Sequence, residues 1–171
     1  ELGRYATLAP NGHNAQPWKF RLRNTRIDIV PDWKRRTPVV DPDDHHLWVS
    51  LGCAAENVVQ AAAASGRDAE VSVSPTAVEV SMRPGSVRRS ALFEAIPARQ
   101  STRGLFESQT IQPASLGQLE RAVNDASVEV VLLTDRRQIA RLRDYVVAAN
   151  SAQMVDPAFV SELKSWIRFN E

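Results

Sequence analysis

The sequence predicts an α+β fold, and three observations carry that prediction. Two stretches alternate apolar and polar residues in pairs, as antiparallel hairpins do. Several others repeat apolar residues at helical spacing, and the two kinds do not take turns as a doubly wound sheet requires. The longest helical stretch, His46 to Ser65, is rich in alanine and closes at Gly66, which marks a central core helix.

The elements follow in order. Leu2 to Ala9 reads as the last turns of a helix whose start is absent. Pro10 to Gln16 is a loop rich in turn formers, ended by Pro17. Trp18, Phe20 and Leu22 then alternate with Lys19, Arg21 and Arg23, the signature of a half-buried strand. Asn24-Thr25 turns the chain into a second strand through Ile27 and Ile29, stopped by Pro31. Trp33 to Asp44 is polar and has no period. Asp43 and Asp44 are cap candidates for the Ala-rich helix, where Leu47, Leu51, Ala54, Ala55, Val58, Val59 and Ala62 share one face. Its small residues from Gly52 to Ala55 would let another helix approach closely. Val71 and Val73, then Val78, Val80 and Met82, form a second hairpin across Ser74-Pro75-Thr76-Ala77, ending at Pro84-Gly85.

Ser90 to Ile96 is a short helix running into Pro97, and a basic, hydroxyl-bearing stretch from Arg99 to Arg103 comes next. Pro113 starts a helix with Leu116, Leu119 and Val123 on one side. Val128 to Leu133 reads as a short strand of mostly β-branched residues. Asp135 to Met154 and Pro157 to Phe169 are two amphipathic helices, the second opened by a cap and a proline at its first position. The last pattern stops without a helix-ending glycine, and Glu1 is not an initiator Met. A fragment is therefore expected, and a signal peptide upstream would not be visible.

Composition narrows the function. The 171 residues are 43% hydrophobic and 24% charged, enough apolar area for a core. Lys and Arg total 21 against 20 for Asp and Glu, a net charge of +1. That balance argues against a nucleic-acid or membrane-surface binder, which needs a cationic face. A single cysteine, Cys53, excludes an intrachain disulfide and a Cys-rich zinc module. No run reaches the ~18 apolar residues of a membrane span. A soluble, cytoplasmic protein is expected.

Phosphate-binding glycine motifs, the nucleophile elbow and the His-Glu-x-x-His helix are all missing. Cys53 lies mid-helix among apolar neighbours and reads as a buried small hydrophobe. Asp41, Asp43, Asp44, His45 and His46 could be drawn as a metal cluster. Acidic residues before a helix favour its N-terminus by the dipole alone, however, and adjacent histidines point apart. No metal is expected. Arg35-Arg36 and Arg88-Arg89 read as solvated charges, and Phe159, Leu163 and Trp166 as core.

Two stretches rise above this background. Ala9-Pro10-Asn11-Gly12-His13-Asn14-Ala15-Gln16-Pro17-Trp18-Lys19-Phe20 is either an Asx-rich turn into a strand or a platform of amides for a flat polar ligand. In Arg99-Gln100-Ser101-Thr102-Arg103 an extended backbone would put Arg99, Ser101 and Arg103 on one side. Two guanidinium forks around a hydroxyl suit a phosphate dianion, and an exposed basic loop is the plainer alternative.

The first stretch is similar to the Pro-Ser-x-x-Asn-x-Gln-Pro-Trp-x-Phe signature of the nitroreductase superfamily of FMN flavoproteins. The second resembles that superfamily's Arg-x-Ser-x-Arg-x-x-Phe segment, and Leu51 to Asn57 its central helix. Asn11 and Gly12 stand where the family usually has serines. The motif order is reversed from an ordinary member and resembles the Acg-type branch, in which two nitroreductase-like halves are fused in tandem. Ser161 to Arg168 resembles that branch too.

The resemblance implies a nitroreductase-like sheet with helices packed around the Ala-rich helix, in two pseudo-repeated halves. Residues 1–85 would be the first half and 86–171 an incomplete second, together one compact unit. It implies FMN, with NAD(P)H as reductant and a nitroaromatic, quinone or similar small-molecule electron acceptor. Arg99, Ser101 and Arg103 would hold the phosphate, while Pro10, Asn11, Gly12, Asn14 and Gln16 would line the flavin, with His13 and Thr102 as weaker neighbours. Ordinary members are homodimers with FMN between subunits, and a fused chain would build that site within itself. A flavin-storing protein with little turnover shares every one of these residues, and a remnant that binds no flavin is a third reading.

Overall fold

Residue alternation sets the sheet. In the computed structural model, which describes residues 1–102, 104–105, 107, 109–122 and 128–168, four strands form one antiparallel sheet. They are β1 (Trp18–Leu22), β2 (Arg26–Pro31), β3 (Arg67–Ser74) and β4 (Ala77–Pro84), in the order β1-β2-β4-β3. Phe20 lies opposite Ile29 and Ile29 opposite Val78, while Ile27 lies opposite Val80 and Val80 opposite Val71. Because successive side chains point to opposite faces, these rows share one face of the sheet.

Helix α2 (His45–Ala64) covers that face. Ile29, Leu51, Val58 and Val80 are its largest fully buried side chains, and Leu47, Ala54, Ala55 and Trp18 complete the cluster. The short helix α1 (Leu2–Ala6) packs along α2, where Asn57 Nδ2 donates to the Tyr5 carbonyl at 3.0 Å. Helix α3 (Ala91–Ala95) closes the far end with Phe93 and Ile96 against Ala61, and the Tyr5 and Phe93 rings lie 5.0 Å apart. Ser90 caps α3 by accepting from the Phe93 N–H at 3.0 Å. Gly85 is required where it stands: a Cβ there would come within 2.8 Å of the Asp68 backbone nitrogen.

The cap of α2 differs from the expectation. Asp43 and Asp44 are the sequence candidates, yet Asp41 accepts from the N–H groups of His46 and Leu47 at 3.0 and 2.9 Å. Asp43 receives only His45 N–H, at 3.3 Å. Asp44 has turned away in a left-handed conformation (φ 59°), with both carboxylate oxygens on the Arg36 guanidinium. The chain thus reaches back from Asp41 to satisfy the helix's orphan donors.

The opposite face of the sheet carries charge. Arg21, Asp28 and Glu79 lie in one cross-strand row, which sets two carboxylates side by side. Arg26 resolves the conflict, with Nε 2.6 Å from Asp28 and Nη1 2.8 Å from Glu79, and Arg23 Nε adds a bond to Asp28 at 2.9 Å. The Arg23 hydrogen bond, with the charge of Arg26, holds the buried Asp28 carboxyl below the usual range despite its burial. Asp32 is likewise held down, first by its hydrogen bond from Lys19. A lowered folded-state pKa adds stability that is present above the unfolded value, near 3.9, and lost as pH falls through the folded one. Thermal melts should therefore be flat between neutrality and about pH 5 and fall below about pH 4. Asp28→Asn should flatten that acid limb, and an unchanged limb would remove Asp28 from the account.

The chain divides into two compact units, Glu1–Gln100 with Pro157–Glu171, and Ser101–Asp156. The second holds α4 (Pro113–Arg121) and α5 (Arg136–Met154), opened by Asp135 accepting from Arg137 and Gln138 N–H. None of its described residues is buried. The strand expected over Val128–Leu133 is not formed. β-branched composition favours a strand only where a neighbour supplies a hydrogen-bonded ladder, and no described strand pairs with these residues. Helix α6 (Pro157–Trp166) returns to the first unit, and Val123 and Phe169 lie outside the described residues.

Candidate functional site

The Pro10–Gln16 loop is built from within. Asn11 bridges it, its Nδ2 donating to the Ala9 carbonyl at 3.1 Å and its Oδ1 accepting from Gln16 N–H at 2.8 Å. Between them Gly12–Asn14 makes a single 3₁₀ turn, closed by Ala15 N–H on the Gly12 carbonyl at 2.9 Å. His13, Asn14 and Gln16 all take the left-handed conformation, with φ of 51°, 54° and 51°. Such backbone costs of order 1–3 kcal/mol per residue and persists only where the surroundings over-determine it. Clustered in one loop, it needs the surroundings to hold it.

The surroundings supply that constraint. Ala15 is buried and its carbonyl accepts from Arg35 Nη1 at 2.8 Å. The Pro17 carbonyl accepts from Asp32 N–H at 3.0 Å, and Asp32 in turn accepts from Lys19 Nζ at 2.8 Å. Arg35, expected to be a solvated charge, is therefore a brace, and Arg36 is paired with Asp44. Arg88 and Arg89 are also paired, with Asp68 and Glu94, and Arg89 sits over the Phe93 ring. What the loop presents outward is Pro10, Gly12 and Asn14, all exposed, and a Cβ on Gly12 would meet nothing within 4 Å.

Arg99 stands beside this loop. Its Nη2 donates to the carbonyl of Leu8, two residues before Pro10, at 3.3 Å. The residue is exposed, and a guanidinium carries five N–H donors in a fixed fork. Ser101 is exposed and falls in the second unit, and Arg103 lies outside the described residues. The structure therefore gathers Pro10, Asn11, Gly12, Asn14 and Gln16 in one loop and places Arg99 at its entrance. Asn11 is used internally.

Cys53 is half-buried, less enclosed than its apolar neighbours in sequence suggest. Burial pushes its thiol pKa up, and the charge of Arg99 pulls it partway back. A raised pKa means little thiolate at neutral pH. Labelling by a thiol reagent should be slow in the folded protein and fast once unfolded; rapid labelling of the native state with loss of activity would point to a reactive thiol. His45 and His46, expected to point apart, instead meet edge to face at 5.4 Å, and no group of three His, Cys, Asp or Glu among the described residues is placed to hold a metal. Nor, among them, is any helix long and apolar enough to cross a membrane.

No protein-family model matches the sequence. Two Mycobacterium tuberculosis proteins are similar to it, "Putative NAD(P)H nitroreductase MT3217" and "Putative NAD(P)H nitroreductase Rv3131". Each is 28% identical over an alignment covering 94% of this chain and 48% of the relative. The chain thus spans about half the length of the curated relatives it matches. Its α+β architecture, a four-stranded antiparallel sheet with helices, is compatible with the likeness.

Proposed function

We propose that this chain belongs to an FMN-dependent oxidoreductase that passes hydride from NAD(P)H to a nitroaromatic, quinone or similar small-molecule acceptor. The observation that carries the reading is the strained, doubly braced Pro10–Gln16 loop with an exposed guanidinium at its entrance. The relatives' names supply the reductant and the reaction class.

The residues present fit the group. A guanidinium fork matches a phosphate in charge and geometry, and Gly12 and Asn14 are exposed on the loop that starts two residues after Leu8, the acceptor of Arg99. When bound, FMN supplies the hydride chemistry, so no side-chain nucleophile or general base is demanded of the protein. In this reading Arg99, Ser101 and Arg103 hold the phosphate. Pro10, Gly12, Asn14 and Gln16 line the flavin, and Asn11 shapes the loop that does so. Residues 1–85 and 86–171 belong to two nitroreductase-like halves of an Acg-type fused chain. Turnover separates this enzyme from a protein that only stores flavin. Steady-state NAD(P)H oxidation by the FMN-loaded full chain should require an acceptor and rise with its concentration. Tight FMN binding without acceptor-dependent oxidation would favour storage.

A further inference from the structure

Helix α6 is seated in the first unit beside the Gly12–Asn14 turn. Phe159, Val160, Glu162, Leu163 and Trp166 are half-buried, whereas Ser161, Lys164 and Ser165 are exposed, so one face of the helix is docked. From that face Glu162 reaches the loop before α2. Its two carboxylate oxygens accept from consecutive backbone N–H groups, Oε2 from Val39 at 2.9 Å and Oε1 from Val40 at 3.1 Å. The segment is already folded back by Asp41 N–H on the Thr37 carbonyl at 2.8 Å.

The position of those two amides gives the contact its meaning. They lie between Arg35, which braces the Ala15 carbonyl, and Asp41, which caps α2. Val39 is 41% exposed, so water could satisfy its N–H without help. A carboxylate spanning two successive amides instead fixes their direction, as charge-assisted bonds to paired donors do.

We infer that Glu162 is a positioning residue: it latches α6 to residues 37–41 and so holds the Pro10–Gln16 loop in its left-handed shape. The consequence for FMN rests on the flavin reading proposed above, and the test separates the two. Amide hydrogen exchange is followed in the FMN-free full chain, as wild type, Glu162→Ala and Glu162→Gln, and FMN is then titrated into each. Exchange should rise in Glu162→Ala at Val39 and Val40 and also across residues 12–16, with the core of α2 unchanged. Glu162→Gln keeps one strong acceptor and should fall between. FMN affinity should drop by about three- to tenfold in Glu162→Ala, because a loop no longer held in its binding shape must be ordered when FMN binds. Unchanged exchange at Val39 and Val40, or a rise there that leaves residues 12–16 protected, would overturn the latch. If the loop responds as expected while the wild type binds no FMN, the latch stands and the flavin reading fails.

Discussion

Replacing Leu51 with Ala is expected to lower the free energy of unfolding by about 2–5 kcal/mol, the range for a fully buried leucine whose site cannot collapse. Leu51 has no exposed surface and sits in the middle of α2 within the cluster that holds Ile29, Val58 and Val80. Two strands bearing that floor, β2 and β4, are hydrogen-bonded on both edges, so the sheet cannot sink into the vacated space. Val49, two residues earlier on the same helix, is half exposed. Val49→Ala should therefore cost under about 0.5 kcal/mol. Denaturant midpoints of the two variants read the difference directly. Equal, small losses would mean that α2 is not the central helix of the core.

The other large effect falls on ligand binding. Arg99→Ala should weaken FMN by at least about tenfold, because a charge-assisted hydrogen bond contributes roughly 1.5–3 kcal/mol. Its guanidinium is exposed, and its bond to the Leu8 carbonyl is long. Losing it should leave the fold nearly unchanged. Arg99→Lys retains the charge without the fork, so it should recover part of the affinity. Added salt should narrow the gap between wild type and Arg99→Ala, as screening weakens an exposed pair. An affinity that does not move in Arg99→Ala would take this arginine out of the phosphate site.

Local pattern made much of this architecture readable. Alternation at Trp18, Phe20 and Leu22 and at Val78 and Val80 located the strands, and the polar break at Asn24-Thr25 located a turn. Ser90, Asp135 and Pro157 stand at the helix starts they imply. What escaped the pattern is held by partners distant in sequence. Asp41 caps α2 from five residues before His46, because the intervening chain is bent by Asp44 in the left-handed region. Arg35 finds its acceptor 20 positions away at Ala15, and composition alone cannot tell such a brace from a solvated charge. Asp28 falls at an ordinary polar position of an alternating strand, yet Arg23 and Arg26 let it be buried. The shape of the candidate loop was equally hidden. Nothing in Gln16 as a residue type announces its positive φ, which the bridge from Asn11 to its N–H and the bond from Arg35 to Ala15 hold in place.

The proposed use of a flavin is tested by the visible spectrum of the purified full chain after incubation with FMN and removal of the unbound fraction. Flavin absorbance should be retained, bleach when NAD(P)H is added without oxygen, and return on addition of a quinone or nitroaromatic. A chain that retains no flavin, and leaves the fluorescence of added FMN unaltered across the titration, would contradict it.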